Sequence, residues 1–365
     1  MHERFNARAS HNSYKRVYIK QMKVLIIKMS SLGDILHTLP ALTDAGINLP
    51  GIQFDWVIEE AFAEIPAWHP LVRRVIPIAF RKLRKTPLQS LFSKTWRNFR
   101  QQLKQERYDL ILDAQGLLKS VWISSMARGP KAGLDKHSAW EPIASLFYQR
   151  KYAVNPAQHA VTRARELFAK ALGYGKPQNV ATYGISQDRF RTKSIPYKQY
   201  VVFLHGTTWQ TKLWPENYWQ ALANILSAAG YQILLPWGNE AEQARAERIV
   251  KSCVTAQVLP KLTLTEMATI LCSAKAVVAV DTGLGHVAAA LGKPTVSLYG
   301  PTDPKEIGTL GDNQVHLSAN FLCAPCLQRF CTYQGASDEK PACFTMIPPD
   351  QVWQTLQRFL MTKSD

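Results

Sequence analysis

The chain has 365 residues, 46% of them hydrophobic, a length that favours two domains over one small core. No uninterrupted apolar run reaches the roughly 18 residues a membrane-spanning helix needs, and residues 1–21 are polar and basic, without the apolar stretch of a secretory signal. The formal charge is +17, from 44 Lys and Arg against 27 Asp and Glu, so a polyanionic partner is expected; with no aromatic RNA-binding pattern and no zinc-finger spacing, an anionic membrane or glycolipid suits it better than nucleic acid.

In chain order, residues 1–21 read as a disordered or mis-called N-terminal arm. Apolar runs then predict strands over 24–27, 54–58, 75–78 and 110–113. The stretch 86–107, rich in Lys, Arg, Gln, Phe and Trp, reads as a basic helical insertion. Residues 1–150 hold 23 Lys and Arg against 12 Asp and Glu, and much of that excess lies between Arg73 and Arg107. After a polar stretch around 186–199, a second set of strands is predicted over 200–204, 232–236, 256–259, 276–280 and 295–299. Helical patterns intervene at 214–229, 240–252 and 265–273. Strand and helix alternating twice over predict an α/β protein of two Rossmann-like domains with parallel sheets, 22–185 and 186–348. In 349–365, Val352, Trp353, Leu356, Phe359 and Leu360 form one apolar helical stripe, expected to pack back on the N-terminal domain.

Several strand ends carry chemistry. After 24–27, Ser30, Ser31 and Gly33 supply a loop, and a carboxylate, Asp34, stands where strand gives way to helix. In open α/β sheets that crevice binds ligands, which makes Asp34 a candidate base. Pro40 should bend the helix that follows, and His37, one turn on from Asp34, is assigned a structural place. After 276–280 comes Asp281-Thr282-Gly283-Leu284-Gly285-His286, a tight turn into an Ala-rich helix capped by Gly292. Its free N–H groups and dipole suit an anion such as a diphosphate. The pattern is not G-x-G-x-x-G and lacks the acid about 20 residues on, which argues against a nicotinamide dehydrogenase. In the loop after 200–204, Lys212 precedes Pro215 and would either neutralise a phosphate or be a plain surface lysine. After Trp237-Gly238, either Glu240 or Glu242 could hold a ribose, or favour the helix dipole, and the spacing does not choose.

The segments KMSSLGDILHTLPAL (28–42), FDWVIEEAFAEIPAWHP (54–70), LDAQGLLKS (112–120), EPIASLFYQRKY (141–152), RARELFAKALGY (163–174), FLHGTT (203–208), LPWG (235–238), VDTGLGHVAAAL (280–291) and YGPTDP (299–304) resemble, in order, the lipopolysaccharide heptosyltransferases of type I. These are inverting glycosyltransferases of GT-B architecture, two Rossmann-like domains facing a cleft. The resemblance implies ADP-heptose as donor and the inner Kdo of Kdo-lipid A as acceptor, joined by an α-1,5 linkage. It implies a cytoplasmic protein peripheral on the inner membrane of a Gram-negative bacterium. It matches Asp34 to the base, Lys212 to the donor phosphates and Glu242 to the ribose. Thr207, Thr208, Asp281, Thr282, Gly283, Leu284 and His286 match donor-binding positions. Arg81, Lys82, Arg84 and Lys85, with Ser30 and Ser31, match the acceptor side.

On this reading Asp34 deprotonates the acceptor hydroxyl, one displacement inverts the anomeric centre, and ADP leaves without an acid. Lys212 and the helix after Thr282 hold the departing charge. No divalent metal is expected, as no D-x-D motif is evident, and domain closure is. The tail departs from the type I pattern: Cys323, Cys326, Cys331 and Cys343 are candidates for a thiolate metal site or for reduced thiols, while Cys253 and Cys272 read as core residues. A relative using another core acceptor and a non-catalytic glycolipid-binding scaffold are the alternatives.

Overall fold

The computed structural model describes residues 21–191 and 195–361. The expected arm 1–21 lies outside them except for Gln21. Two six-stranded, wholly parallel sheets organise the chain, each fed by helices.

The first contains β1 (Lys23–Ile27), β2 (Gln53–Glu59), β3 (Val72–Ile78), β4 (Leu110–Asp113), β5 (Lys131–Leu134) and β6 (Arg150–Tyr152), in the order β3-β2-β1-β4-β5-β6. The second contains β7 (Tyr200–Leu204), β8 (Gln232–Leu235), β9 (Ala256–Val258), β10 (Ala276–Val280), β11 (Thr295–Tyr299) and β12 (Gln314–Ser318), in the order β12-β11-β10-β7-β8-β9. The orders are equivalent, and each sheet reverses direction beside its first strand. Central strands such as β7 (YVVFL) and β10 (AVVAV) are buried at every residue, because helices cover both faces of a parallel sheet. The sequence pattern missed β5, β6 and β12: they are short or at an edge, partly exposed, and lack that apolar signature.

Thirteen α-helices are described: α1 (Leu32–Asn48), α2 (Phe80–Lys85), α3 (Pro87–Leu91), α4 (Lys94–Lys104), α5 (Leu118–Ser125), α6 (Ala160–Leu172), α7 (Asp188–Arg191), α8 (Glu216–Ala228), α9 (Glu240–Val250), α10 (Leu264–Ser273), α11 (Gly283–Ala290), α12 (Pro304–Ile307) and α13 (Pro349–Leu360). The basic insertion 86–107 resolves into α3 and α4, with α2 just before it. Helix α1 continues through Pro40 without a break in the helix. The expected docking of the C-terminal helix on the N-terminal domain is corrected. Val352 and Leu356 of α13 are fully buried in the core of the second sheet, with Trp214, Trp219 and Phe344. The amphipathic stripe demanded a partner, and α8 with β10 and β11 supply it.

The two halves touch along a long seam. A single apolar cluster runs from β1, β2 and α1 through Phe190 of α7 to α10 and α11. The Glu64 carboxylate accepts from the backbone N–H groups of Leu264 (3.3 Å) and Thr265 (2.9 Å), capping α10 from the other half. Phe190 stacks edge-on against Trp68, ring centroids 5.2 Å apart.

Candidate active site

The acceptor half begins at the carboxyl end of β1. The loop to α1 is pinned to the end of β4 by the Gln115 side chain, whose Oε1 accepts from Met29 N (2.9 Å) and Ser30 N (3.2 Å). Lys119 Nζ donates to Ser30 Oγ at 3.3 Å. Asp34 then occupies the third position of α1, and its Oδ2 accepts from both Ser31 N (2.8 Å) and Ser31 Oγ (2.7 Å). Its Oδ1 lies 3.9 Å from Lys28 Nζ. Burial opposes ionisation of Asp34, but Lys28 and the Ser31 N–H outweigh it and hold the carboxyl down at about 2. The side chain keeps 39% of its exposure and lines a cavity of about 370 Å³ shared with Lys28, His37, Gln115, Trp140 and Arg163. An ionised carboxylate on the wall of such a cavity can take a proton from a bound hydroxyl.

Arg81, Lys82, Arg84 and Lys85 all stand exposed on α2, outside that cavity's lining. Lys82 pairs with Glu60 at 2.7 Å, and the Arg81 guanidinium lies 5.3 Å from the centre of the Phe62 ring. The cations that reach the cavity itself are Lys28 and Arg163, neither singled out from sequence. Lys28 had a signal: it follows the last residue of β1 directly, where side chains meet the crevice. Arg163 had none, since it lies mid-helix in α6 and enters only through tertiary packing.

The donor half gathers three turns at the carboxyl ends of β10, β7 and β8, neighbours at the centre of the second sheet. Lys212 ends a 3₁₀ turn, Gln210–Lys212, and is not a plain surface lysine. Its Nζ lies 2.7 Å from Asp281 Oδ2 and 4.3 Å from the centre of the Trp209 ring, with 13% of the side chain exposed. Asp281 also accepts from Thr302 Oγ1 at 2.7 Å, and its carbonyl accepts from Thr207 Oγ1 at 2.9 Å. Thr208 is exposed beside them. Thr282 precedes α11 in extended conformation but makes no side-chain cap, so the first N–H groups of that helix stay open. Of the two carboxylates that sequence left undecided, Glu240 is exposed, whereas Glu242 turns inward to accept from Gly238 N at 2.8 Å. Gly206 permits this approach, because a Cβ there would stand 2.7 Å from Glu242 Cδ.

Two helix starts join the halves. A Cβ on Gly33 would lie 3.1 Å from His286 Cδ2, and one on Gly283 would lie 2.7 Å from Leu32 Cβ, so α1 and α11 cross with a glycine of each against a side chain of the other. His286 is buried and directed at α1: its Nδ1 is 3.2 Å from His37 Nε2, with the rings edge-on at 4.5 Å. His159 adds a third ring, 5.7 Å from His37, and its Nε2 contacts the Gly308 carbonyl at 3.0 Å. Burial lowers all three imidazoles, His286 to about 4 and His37 well below the ordinary value. Near neutral pH His37 and His286 are therefore uncharged, and one donates its N–H to the other. This link spans 249 residues of chain and no spacing rule announces it. Leu284, between Gly283 and His286, is half-buried in the shared apolar seam.

Cys323, Cys326, Cys331 and Cys343 converge around a second cavity of about 300 Å³. Among the described residues no three His, Cys, Asp or Glu side chains are grouped as the ligands of a metal ion, and all six cysteines are free. Burial, with the other three sulfurs adding to it, pushes the Cys343 thiol up to about 12.

An ionised carboxylate thus lies at the end of one sheet and an uncapped helix start at the end of the other, across one seam. The family profile described as Glycosyltransferase family 9 (heptosyltransferase) matches residues 96–337, more than half of the chain. The chain belongs to glycosyltransferase family 9. This heptosyltransferase is 53% identical to lipopolysaccharide heptosyltransferase 1 of Pseudomonas aeruginosa, an alignment covering 93% of the chain and 98% of that relative. Its fold matches the E. coli heptosyltransferase WaaC with ADP at a TM-score of 0.82 and 44% identity, over 93% of this chain and 100% of that one. The same E. coli enzyme with ADP-2-deoxy-2-fluoro heptose matches at 0.79 and 43% identity, over 92% and 99%. The two sheets of the heptosyltransferase are thus the two halves of a GT-B enzyme.

Proposed function

We propose that this heptosyltransferase moves L-glycero-D-manno-heptose from ADP-heptose to the inner Kdo of Kdo-lipid A, in one inverting displacement. The observation that carries the reading is the pairing across one seam of an ionised Asp34 with the open start of α11 beside Lys212. The acceptor hydroxyl enters the cavity and gives its proton to Asp34 as its oxygen attacks the anomeric carbon. The bond from that carbon to the diphosphate oxygen breaks, and ADP departs as an anion that needs no protonation. Lys212, already oriented by Asp281, and the α11 N–H groups hold the growing charge without reorganising. Glu242, freed from Gly238 N, accepts from the ribose hydroxyls, with Thr207 and Thr208 lining the same approach.

Lys28 and Arg163 meet the acceptor's carboxylates inside the cavity, and Arg81, Lys82, Arg84 and Lys85 attract its phosphates from α2. Among the described residues no helix is long and apolar enough to cross a membrane. We assign the enzyme to the cytoplasmic face of the inner membrane, where a water-soluble nucleotide sugar and a lipid-borne acceptor meet. No metal takes part in any step of this scheme. The deciding assay is ADP release from ADP-heptose with Kdo-lipid A and, separately, with a core already bearing one heptose. Release with the first alone is expected; release with the second alone overturns the acceptor, and release with neither overturns the activity.

A further inference from the structure

The first half carries an apolar edge of which only Trp140 borders the cavity beside Asp34. Between β5 and β6 lies a 3₁₀ helix, Pro142–Phe147, preceded by Trp140. At three residues per turn, Ile143 and Leu146 share one side, with Phe147 next to it. The opposite side is anchored: Ala144 and Tyr148 pack with Val121 of α5, and the Tyr148 hydroxyl donates to Asp113 Oδ2 at 2.7 Å. The outward side is bare, with Trp140 68%, Ile143 54%, Leu146 69% and Phe147 55% exposed. Soluble proteins seldom expose so many large apolar side chains in eight residues unless a partner covers them.

Two observations identify the cover. The first is charge. Residues 80–105, which form α2, α3 and α4, contain eight Lys or Arg and no Asp or Glu. They adjoin α5, whose Val121 packs under the apolar edge and whose Trp122 ring stacks on Trp96 of α4 at 5.2 Å and meets Phe80 of α2 at 6.4 Å. An apolar edge beside a surface of one positive sign suits an anionic bilayer, which offers acyl chains and negative headgroups together. The second is position. Trp140 lines the cavity that contains Asp34, so a lipid whose sugars enter there leaves its acyl chains against the edge.

We infer that Trp140, Ile143, Leu146 and Phe147 insert into the headgroup–acyl boundary of an anionic bilayer while α2–α4 lie on its headgroups, opening the cavity onto the membrane. The inference rests on the proposed lipid-borne acceptor and names the surface that meets it. Ile143, Leu146 and Phe147 take no part in the cavity lining, so their replacement leaves the chemistry in place.

The test compares the full chain with the triple variant Ile143→Ser, Leu146→Ser, Phe147→Ser in co-sedimentation with extruded phosphatidylglycerol–phosphatidylcholine vesicles. Partitioning of the variant should fall roughly tenfold or more. The triple variant Lys94→Gln, Arg97→Gln, Arg100→Gln should lose partitioning at low salt and little at high salt. ADP release with a deacylated, water-soluble Kdo acceptor should be the same for the wild type and the apolar variant. With acceptor embedded in vesicles the apolar variant should lose roughly as much as its partitioning. Unchanged vesicle binding by the apolar variant overturns the inference. If that variant also loses a dimer in sedimentation velocity, the edge belongs to a second copy instead. Failure of the wild type to release ADP with the deacylated acceptor is a separate result, striking the function and not the membrane edge.

Discussion

The two sheets share one strand order, yet the helices that start at their reversal points end differently. At α1 the positive helix start is filled by the chain's own Asp34, which accepts from Ser31 N and Oγ. At α11 the start stays open, and the nearby acid, Asp281, is turned aside onto Lys212 and Thr302. The same strand-to-helix junction thus holds a first-turn carboxylate in one half and none in the other, where the proposed function puts the donor diphosphate. In the proposed function the two halves differ by the residues at these helix starts, not by the fold that they share.

Substitutions at these two junctions break or sharpen the contrast. The largest effect is expected of Asp34→Asn, which keeps the shape and removes the base. Turnover in an ADP-release assay should fall about 10²- to 10⁴-fold while the KM for donor stays near that of the wild type. Unaltered turnover would strip Asp34 of its role. Next, Lys212→Ala leaves Asp281 buried without its cation, and chemical unfolding should show a loss of about 3 kcal/mol. Adding Asp281→Asn should recover most of that stability without recovering turnover; recovery of both would make the pair purely structural.

A subtler exchange is Thr282→Asp, which gives α11 the internal acid that α1 has. Calorimetry should find ADP bound roughly tenfold more weakly, about 1.4 kcal/mol. The helix itself should gain up to about 1 kcal/mol from the new cap. Tighter ADP binding would mean that the open start is not where the diphosphate rests.

The smallest effect is in pH. Since His286 titrates at about 4 when folded and near 6.5 when unfolded, the unfolded chain binds the extra proton between those values. Stability is therefore complete above pH 6.5 and falls as pH drops toward 4. Between pH 7 and 5.5 this one group accounts for about 1 kcal/mol. Denaturant unfolding of His286→Gln should show a shallower decline, and an equal slope would locate the pH sensitivity elsewhere. Asp34, depressed to about 2, adds stability that is lost only below pH 4.

Much of this was readable from residue order, for stated reasons. Central parallel strands are buried on both faces, so β1, β4, β7 and β10 appear as unbroken apolar runs. The turns that follow them led directly to Asp34 and Asp281. Two of the four edges gave no such signal: β6 (RKY) and β12 (QVHLS) are held by backbone pairing, which any residues can make. The stripe on α13 showed that a partner existed but could not name it, because α8 and the N-terminal half offer the same apolar chemistry. The four tail cysteines had a metal-like spacing, and the structure sets all four around one cavity. Arg163 and the His37–His286 contact depend on segments far apart in the chain, which no local pattern encodes.

Where α1 crosses α11, Gly33 and Gly283 leave main chain against side chain with no soft spacer between. In the proposed reaction, the separation of Asp34 from the leaving-group anchor is thus gauged by these two glycine contacts. A single methyl at either glycine would act as a shim, lengthening the flight of the acceptor oxygen to the anomeric carbon. His286 and Leu32 would have to shift to admit it, so the fit of the two halves rests on two hydrogen atoms.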